Sequence, residues 1–456
     1  MTAELPRLGH DVAPHPKAPV RIVHLGLGAF HRSHQAWFTQ HAGDAGEWGI
    51  ASFTGRRPDA AKVLAAQDGL FTVVERADSG DSFEVVGSIV EAVDGANVQR
   101  LVELVAAPET AVVTLTITEA AYGFGADDVR LLLSGQDPTT PLGRLVRGLA
   151  ARRDADAGPL AVVSCDNLSD NGNVARHAVV NLAGGFDAGL ADWVDANVSF
   201  VSTSVDRITP RTTAEDVQLV ARECGYRDEA PVVAEPFRNW VLSGHFPAGR
   251  PRWEDAGAVF VDHIEPYENR KLWLLNGAHS ILAYAGQLRG HTTVAEALAD
   301  PVCLQAVEEF WDEASRHLAG DDLRIPEYRE ALLDRFSNSR IAHHLAQIAM
   351  DASTKLRMRA IPVLRAEREA GRSGVGAARM IAVWAAYVES NPGLQDPQSG
   401  AVAEANQLAG LGRTAALVAL LDSELARDSA VVELVHKLSH EFARAMQPIA
   451  TVGNRS

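Results

Sequence analysis

Cysteine is scarce in this chain of 456 residues. There are three, Cys165, Cys224 and Cys303, and none forms a Cys-x-x-Cys pair. An odd, scattered set is a poor disulfide framework, so reduced thiols and a cytoplasmic location are the expectation. Long apolar runs are missing too, and no stretch is long enough to span a bilayer. The first 19 residues are rich in Pro and His and lack the apolar stretch of a signal peptide, so they are expected to be an N-terminal extension. Positive charge is not massed anywhere. The formal net charge is −17 with no long basic run, which argues against nucleic acid or an anionic membrane as the main partner. A small anionic substrate needs only a local positive pocket and is not excluded by that balance. The scarcest charged residue is lysine, which occurs five times, at Lys17, Lys62, Lys271, Lys355 and Lys437, among 42 basic residues. Arg serves almost wherever a plain positive charge is wanted, so a Lys in an ordered segment is a candidate for a role that Arg cannot fill, such as losing its proton near neutral pH.

What is present is an ordinary globular balance, with 46% hydrophobic and 22% charged residues. The length suits two or three domains. The first two-thirds alternates short β-branched runs with Ala/Leu-rich helical stretches. Val20–Leu25, Gly49–Phe53, Ala111–Ile117, Leu160–Ser164 and Val198–Val205 are the candidate strands, and the alternation predicts parallel βαβ units. Beyond about Glu265 helical periodicity takes over, in Asn276–Gln287, Thr293–His317 and Ala377–Glu389. The expectation is an α/β chain: a Rossmann-type dinucleotide-binding domain over 20–262, then a mainly α-helical substrate-binding domain over 263–456 with a frayed tail at Val452–Ser456.

In open parallel sheets ligands bind beyond the carboxyl ends of the strands. The first candidate strand runs into Gly26-Leu27-Gly28-Ala29-Phe30-His31-Arg32. Strand, Gly-x-Gly, then helix is the arrangement that lays a pyrophosphate on a helix N-terminus. His31 stands where the usual third Gly would be. The second strand ends in Thr54-Gly55-Arg56-Arg57 with no acid for the adenosine ribose, so either NAD binds without one or Arg56 or Arg57 receives the 2′-phosphate of NADP. Two solvated arginines explain the same residues. Gly26, Gly28, Ala29, Phe30, Arg56 and Thr116 are the candidate cofactor contacts. Glu119, Cys165-Asp166-Asn167 and Asp206-Arg207 follow later strands and are polar enough to converge on the same crevice, although loops after strands are commonly polar.

The segment from Glu268 to His279 carries the sharpest chemical signal. At about 100° per residue, Lys271, Asn276 and His279 fall within one arc of a helix, and the intervening Leu272-Trp273-Leu274-Leu275 makes the surroundings apolar. Apolar burial lowers a lysine's pKa and suits it to acid/base work near neutral pH. Oxidising a secondary alcohol needs a base for the hydroxyl proton, amide donors for the developing alkoxide and a group such as His to orient the substrate. Spacing alone is equally met by an amphipathic helix with a snorkelling Lys and a satisfied core His. His31 with His34, and His343 with His344, lack Cys or Asp partners at zinc spacing, so no metal is expected. Tyr267 and Lys271 form a Tyr-x-x-x-Lys pair, but after the sheet region and not within it.

These segments together resemble the mannitol dehydrogenase family of long-chain polyol dehydrogenases, which includes mannitol 2-dehydrogenases and fructuronate reductases. The resemblance is carried by His24 to Arg32, Gln67-Asp-Gly-Leu70, Ser164-Cys-Asp-Asn167 with Asn171-Gly172, Val205 to Pro210, Glu235-Pro-Phe-Arg238 and the Lys271…Asn276…His279 cluster, and spans roughly residues 20 to 365. It implies a zinc-independent, NAD(P)-dependent oxidoreductase with its active site between the two domains. Lys271 would be the general acid/base, Asn167 and Asn276 the pair that polarises the reacting oxygen, and His279 a substrate-orienting residue. Asp206 and Glu119 would support the site, with Glu268 as a proton relay to Lys271. Trp273 stands where relatives often carry Arg. The stretch Met350 to Lys355 is closer to the fructuronate reductases, and Lys355 and Arg359 are candidate cations for a substrate carboxylate; cations also bind polyol hydroxyls. The implied partner is a small polyol or sugar acid, for a chain that is a monomer or a small homo-oligomer. The alternative from another class is a dinucleotide-binding sugar sensor without catalysis, which would have no need of the intact Lys271, Asn167, Asn276 and His279 set.

Overall fold

A computed structural model describes residues 5–123, 125–341, 343–391, 393 and 395–445. The tail expected at Val452–Ser456 lies outside the described residues. The described residues of the first unit, Met1–Glu265, form helices and, between them, eleven strands. They are β1 (Val20–Leu25), β2 (Gly49–Phe53), β3 (Phe71–Ala77), β4 (Gly80–Val86), β5 (Ile89–Val93), β6 (Val112–Leu115), β7 (Leu160–Ser164), β8 (Val198–Asp206), β9 (Val232–Ala234), β10 (Asn239–Ser243) and β11 (Val259–Phe260).

Eight of them form one sheet in the order β11-β10-β8-β7-β6-β1-β2-β5. Strands β2, β6 and β7 are buried at every residue, as continuous apolar runs must be when helices cover both faces. The two faces can be read off β1, where Ile22 enters one core cluster and Val23 and Leu25 the other. From β5 through β8 all pairings are parallel. The chain leaves β1 toward β2 and β5, then returns to the other side of β1 as β6. That reversal sets a topological switch point between the ends of β1 and β6, where Leu25 pairs with Leu115.

The expectation of parallel units alone is corrected at two places. Strand β10 runs antiparallel to β8. A separate sheet, β4-β3-β9, begins with an antiparallel hairpin whose loop is Asp78-Ser79, with Ala77 opposite Gly80.

The described residues of the second unit, Pro266–Ser456, are mainly helical. Thr293–His317, expected as one stretch, is two helices, Val294–Leu298 and Pro301–Ser315. The Asp300 side chain caps the second by accepting from the Val302 amide, and Pro301 occupies its first turn. The helix Val375–Ser390 is buried at twelve positions and forms the centre of this unit. Among the described residues no helix is long and apolar enough to cross a membrane.

Candidate functional site

The loop after β1 is shaped by what lies beneath it. Gly26 sits at φ +115, and a Cβ there would overlap the Thr116 carbonyl at the exit of β6. Only glycine lets the two strand ends meet so closely. Gly28 has the opposite surroundings: a Cβ would find nothing nearer than the Gly26 carbonyl at 3.5 Å. This open, half-buried backbone, followed directly by the turn Ala29–Ser33, fits the close approach of a dinucleotide pyrophosphate.

His31, in place of the third glycine, is wholly buried and stacks on His24 of β1 with ring centroids 3.3 Å apart. Its Nε2 meets Ser52 Oγ of β2 at 2.9 Å. The protons around His24 can be assigned in sequence. Thr116 Oγ1 donates to the Gly26 carbonyl (2.9 Å), so it accepts from His24 Nε2 (3.0 Å), and His24 Nδ1 accepts from Thr114 Oγ1 (2.7 Å). Burial pushes the His24 pKa down to about 3 and holds that of His31 well below the usual histidine range. Both imidazoles are therefore neutral struts. Thr116, a candidate cofactor contact, has its hydroxyl engaged in supporting the loop. Arg56 and Arg57 are exposed, with Arg57 3.8 Å from Asp59.

At the next exits the backbone is strained. Thr118 adopts φ 74, ψ 153, a region that essentially only glycine occupies, at a cost of about 1–3 kcal/mol for other residues. The Asp166 carboxylate accepts from the Ile117 amide (3.0 Å), the Thr118 amide (2.8 Å) and the Tyr122 hydroxyl (2.7 Å). Burial and the neighbouring Asp166 push the Tyr122 pKa up, so the phenol stays a donor. Glu119 and Asn167 are exposed beside this clamp, and Asp206 is buried at the end of β8. The next residue, Arg207, is buried as well, donating to the Ser33 and Glu235 carbonyls and pairing with Glu75.

In the second unit the expected regular helix is interrupted. Lys271–Leu275 forms a π-helical turn between the helices Glu265–Arg270 and Asn276–Leu288. The Asn276 amide reaches back to the carbonyls of Lys271 and Leu272. The arc expected at 100° per residue is thereby corrected, because in a π turn the fifth residue closes the turn. Asn276 then follows Lys271 by about one turn. The cause lies in the tertiary packing. The buried Trp311 indole donates to the Leu274 carbonyl at 2.7 Å, and Arg359 donates to the Asn276 carbonyl at 3.0 Å and to Ser280 Oγ at 2.9 Å. A carbonyl of the widened turn, Leu274, and that of the residue that follows it, Asn276, thus find donors from other helices. Leu274 and Leu275 are buried, while Lys271, Leu272, Trp273 and Asn276 are half-buried, as is Glu268.

His279 is buried against Phe336 and, edge-on, His343. Its Nε2 has no hydrogen-bond partner among the described residues. Burial first, then His343, Arg335, Arg359 and Lys355, hold its pKa well below the ordinary value. Lys355 donates to the Ile348 carbonyl at 3.0 Å, and burial and Arg359 lower its pKa. Tyr267 is removed from consideration as a proton donor to substrate, since its hydroxyl is bound to Asp322 at 2.8 Å. No group of three or more His, Cys, Asp or Glu side chains suited to a metal occurs among the described residues.

Sequence reasoning missed Ser52, Trp311 and Arg335, and named Asp166 only as a polar residue after a strand, without a role. Asp166 had a usable signal, an acid one residue from a strand exit beside Asn167. Trp311 and Arg335 had none, because their partners lie on other helices.

Residues 20–255 match the mannitol dehydrogenase Rossmann domain and residues 263–442 the mannitol dehydrogenase C-terminal domain. The chain is 37% identical over 398 residues to D-mannonate oxidoreductase of Escherichia coli, covering 82% of this chain and 81% of that protein. It is 38% identical over 386 residues to mannitol 2-dehydrogenase of Cereibacter sphaeroides, with 80% of each chain covered. Among solved structures, mannitol 2-dehydrogenase of Pseudomonas fluorescens, in a ternary complex with NAD and D-mannitol, is similar with a TM-score of 0.76 and 31% identity over 96% of this chain and 97% of that one. A Rossmann-type unit with Gly26 and Gly28 at its switch point, followed by a helical unit carrying Lys271, and both matched over their length, make this chain a member of the mannitol dehydrogenase family.

Proposed function

We propose that this protein is an NAD-dependent oxidoreductase that interconverts the secondary alcohol and the ketone of a sugar acid, of the mannonate/fructuronate type, with Lys271 as general acid/base. The observation that carries the substrate class is the environment of His279. An unpartnered buried Nε2 is a ready partner for a substrate hydroxyl, and Arg335, Arg359 and Lys355 put positive charge around it. A carboxylate-bearing sugar supplies the counter-charge that such a cluster favours. The relatives named for mannonate and for mannitol are about equally similar, and the cation cluster is what favours a sugar acid in this reading. NAD is favoured over NADP because Arg57 already faces Asp59 and a structural relative binds NAD.

In this reading Gly26, Gly28, Ala29 and Phe30 receive the pyrophosphate on backbone groups, with Thr116 bracing the loop and Arg56 at its adenosine end. When bound, the nicotinamide accepts hydride from the alcohol or returns it to the ketone. Lys271 takes the hydroxyl proton during oxidation and gives it back during reduction. Asn167 and Asn276 donate amide N–H groups to the reacting oxygen. His279 orients a neighbouring hydroxyl, Lys355 and Arg359 hold the carboxylate, and Glu268 passes the proton between Lys271 and water. Asp206 and Glu119 support the site.

Nicotinamide absorbance with fructuronate and fructose at matched concentration, each with NADH and NADPH, tests the proposal. Faster turnover of fructuronate with NADH is expected. Preference for fructose would refute the sugar-acid assignment, and no turnover with any sugar acid or polyol would favour the sensor reading. Lys271→Ala is expected to remove turnover while cofactor binding survives, and Lys271→Arg to fail likewise because guanidinium keeps its proton.

A further inference from the structure

The motif Ser164-Cys-Asp-Asn167 with Asn171-Gly172 contains one residue with a role in the chemistry above, Asn167. Asp166 and Asn171 are both buried, and both bind across strand exits. The Asn171 amide donates to the Asp166 carbonyl and to the Thr203 carbonyl, each at 2.8 Å, and accepts from the Thr203 amide at 2.8 Å. That fixes the main chain of Asp166 between β7 and β8. The Asp166 side chain then reaches to β6, where it takes the Ile117 and Thr118 amides and the Tyr122 hydroxyl. Tyr122 is itself anchored to Ser164 Oγ at 2.8 Å.

A β-branched residue at φ 74, ψ 153 persists only where its surroundings over-determine it. The polar contacts that do so at Thr118 converge on one carboxylate. The residue after Asp166 is Asn167, and the residue after Thr118 is Glu119, each in the loop beyond its strand. We propose that Asp166 is a positioning residue of this enzyme: it holds the strained Thr118–Glu119 segment and Asn167 in fixed relation across the β6 and β7 exits, so that the reacting oxygen meets its amide donor. This rests on the reading of the chain as a dehydrogenase with Asn167 at the reacting oxygen.

The test is Asp166→Asn, which keeps the shape but replaces one acceptor oxygen by a donor. Turnover is expected to fall roughly 10²-fold, the scale of a displaced reacting group, while cofactor Kd, followed by NADH fluorescence, stays within about threefold. In a Thr118→Gly background the same change is expected to cost about tenfold or less, because glycine takes that conformation without a clamp. A merely structural role would give equal losses in both backgrounds, or a kcat that falls in step with the folded fraction; either result overturns the proposal, as does an unchanged kcat. Should Asp166→Asn fail to fold, Tyr122→Phe removes one donor to the carboxylate and is expected to lower kcat about three- to tenfold at unchanged cofactor Kd. No change in kcat there overturns it too. The Lys271→Ala assay separates the two readings: turnover that survives it refutes the proposed function, whatever Asp166 does.

Discussion

The two neutral histidines beneath the cofactor loop give the first unit an acid sensitivity with a defined pH window. In the unfolded chain each imidazole titrates near 6.5. In the folded chain His24 stays neutral until about pH 3, and His31 is also held well below its ordinary value. Between these limits the unfolded state binds more protons than the folded one, so stability falls as pH falls. From pH 7 to pH 5 the loss is about 2 kcal/mol for His24, and His31 adds a loss of the same sign. His41 works in the opposite direction. Although burial opposes it, Glu84 holds its pKa above normal, so its contribution is present at low pH and fades as pH rises; it is small because the two side chains are 33% and 39% exposed. The carboxylates with depressed pKa values, Glu84 and Asp216 among them, lose their contribution only as pH falls below their unfolded values near 4, outside the window. His279 in the second unit adds a loss of the same sign, so the measurement must be a difference. His31→Gln stays neutral throughout and can still reach Ser52. Thermal unfolding of both proteins at pH 7 and pH 5 should show the variant losing less stability, with a smaller fall in Tm between the two pH values. Parallel pH dependences would refute the assignment of His31 as a buried neutral strut.

Gly26→Ala places a methyl against the rigid Thr116 carbonyl at a left-handed φ; a strain of about 1–3 kcal/mol, if borne by the cofactor loop, weakens NADH binding about tenfold or more in a fluorescence titration. Binding within twofold of wild type, on the order of measurement error, would mean that the close approach of β1 and β6 does not shape the loop. Trp311→Phe keeps a ring in the core but leaves the Leu274 carbonyl without its indole donor, at a cost of about 1–3 kcal/mol. Tm should drop by roughly 2–10 °C, with a fall in kcat at unchanged NADH affinity; full activity in a destabilised variant would show that the π turn need not be held from outside to present Lys271.

How far the sequence reached depended on whether a feature is local. Strands β2 and β7 are legible because residues buried on both faces form short runs of small and apolar residues, and β1 because Val20, Ile22, Val23 and Leu25 outweigh Arg21 and His24. The hairpin β3–β4 escaped notice although its signal was present: two alternating runs flank the short Asp78-Ser79 loop, with Glu75, Arg76 and Asp81 breaking the apolar pattern. The dinucleotide loop was legible through Gly26 and Gly28, yet the missing third glycine weakened that reading for a reason that became clear only in three dimensions. That position calls for close helix–strand packing, and a flat imidazole stacked on His24 at 3.3 Å meets the requirement as well as an absent side chain does. The π turn marks where local pattern stops informing. Lys-Leu-Trp-Leu-Leu has no propensity for a widened turn; its Leu274 carbonyl is served by Trp311, 37 residues away, and the next carbonyl but one, that of Asn276, by Arg359, 83 residues away. The residues with a chemical name were thus readable by type, Lys271 and Asn276 among them. Their angular relation was not, because it is set by donors elsewhere in the chain. The same division holds at β7, where Asn167 is recognisable as an amide beside a crevice, while Asp166 carries the strain of a backbone 48 residues earlier that gives no sign of strain in its own sequence.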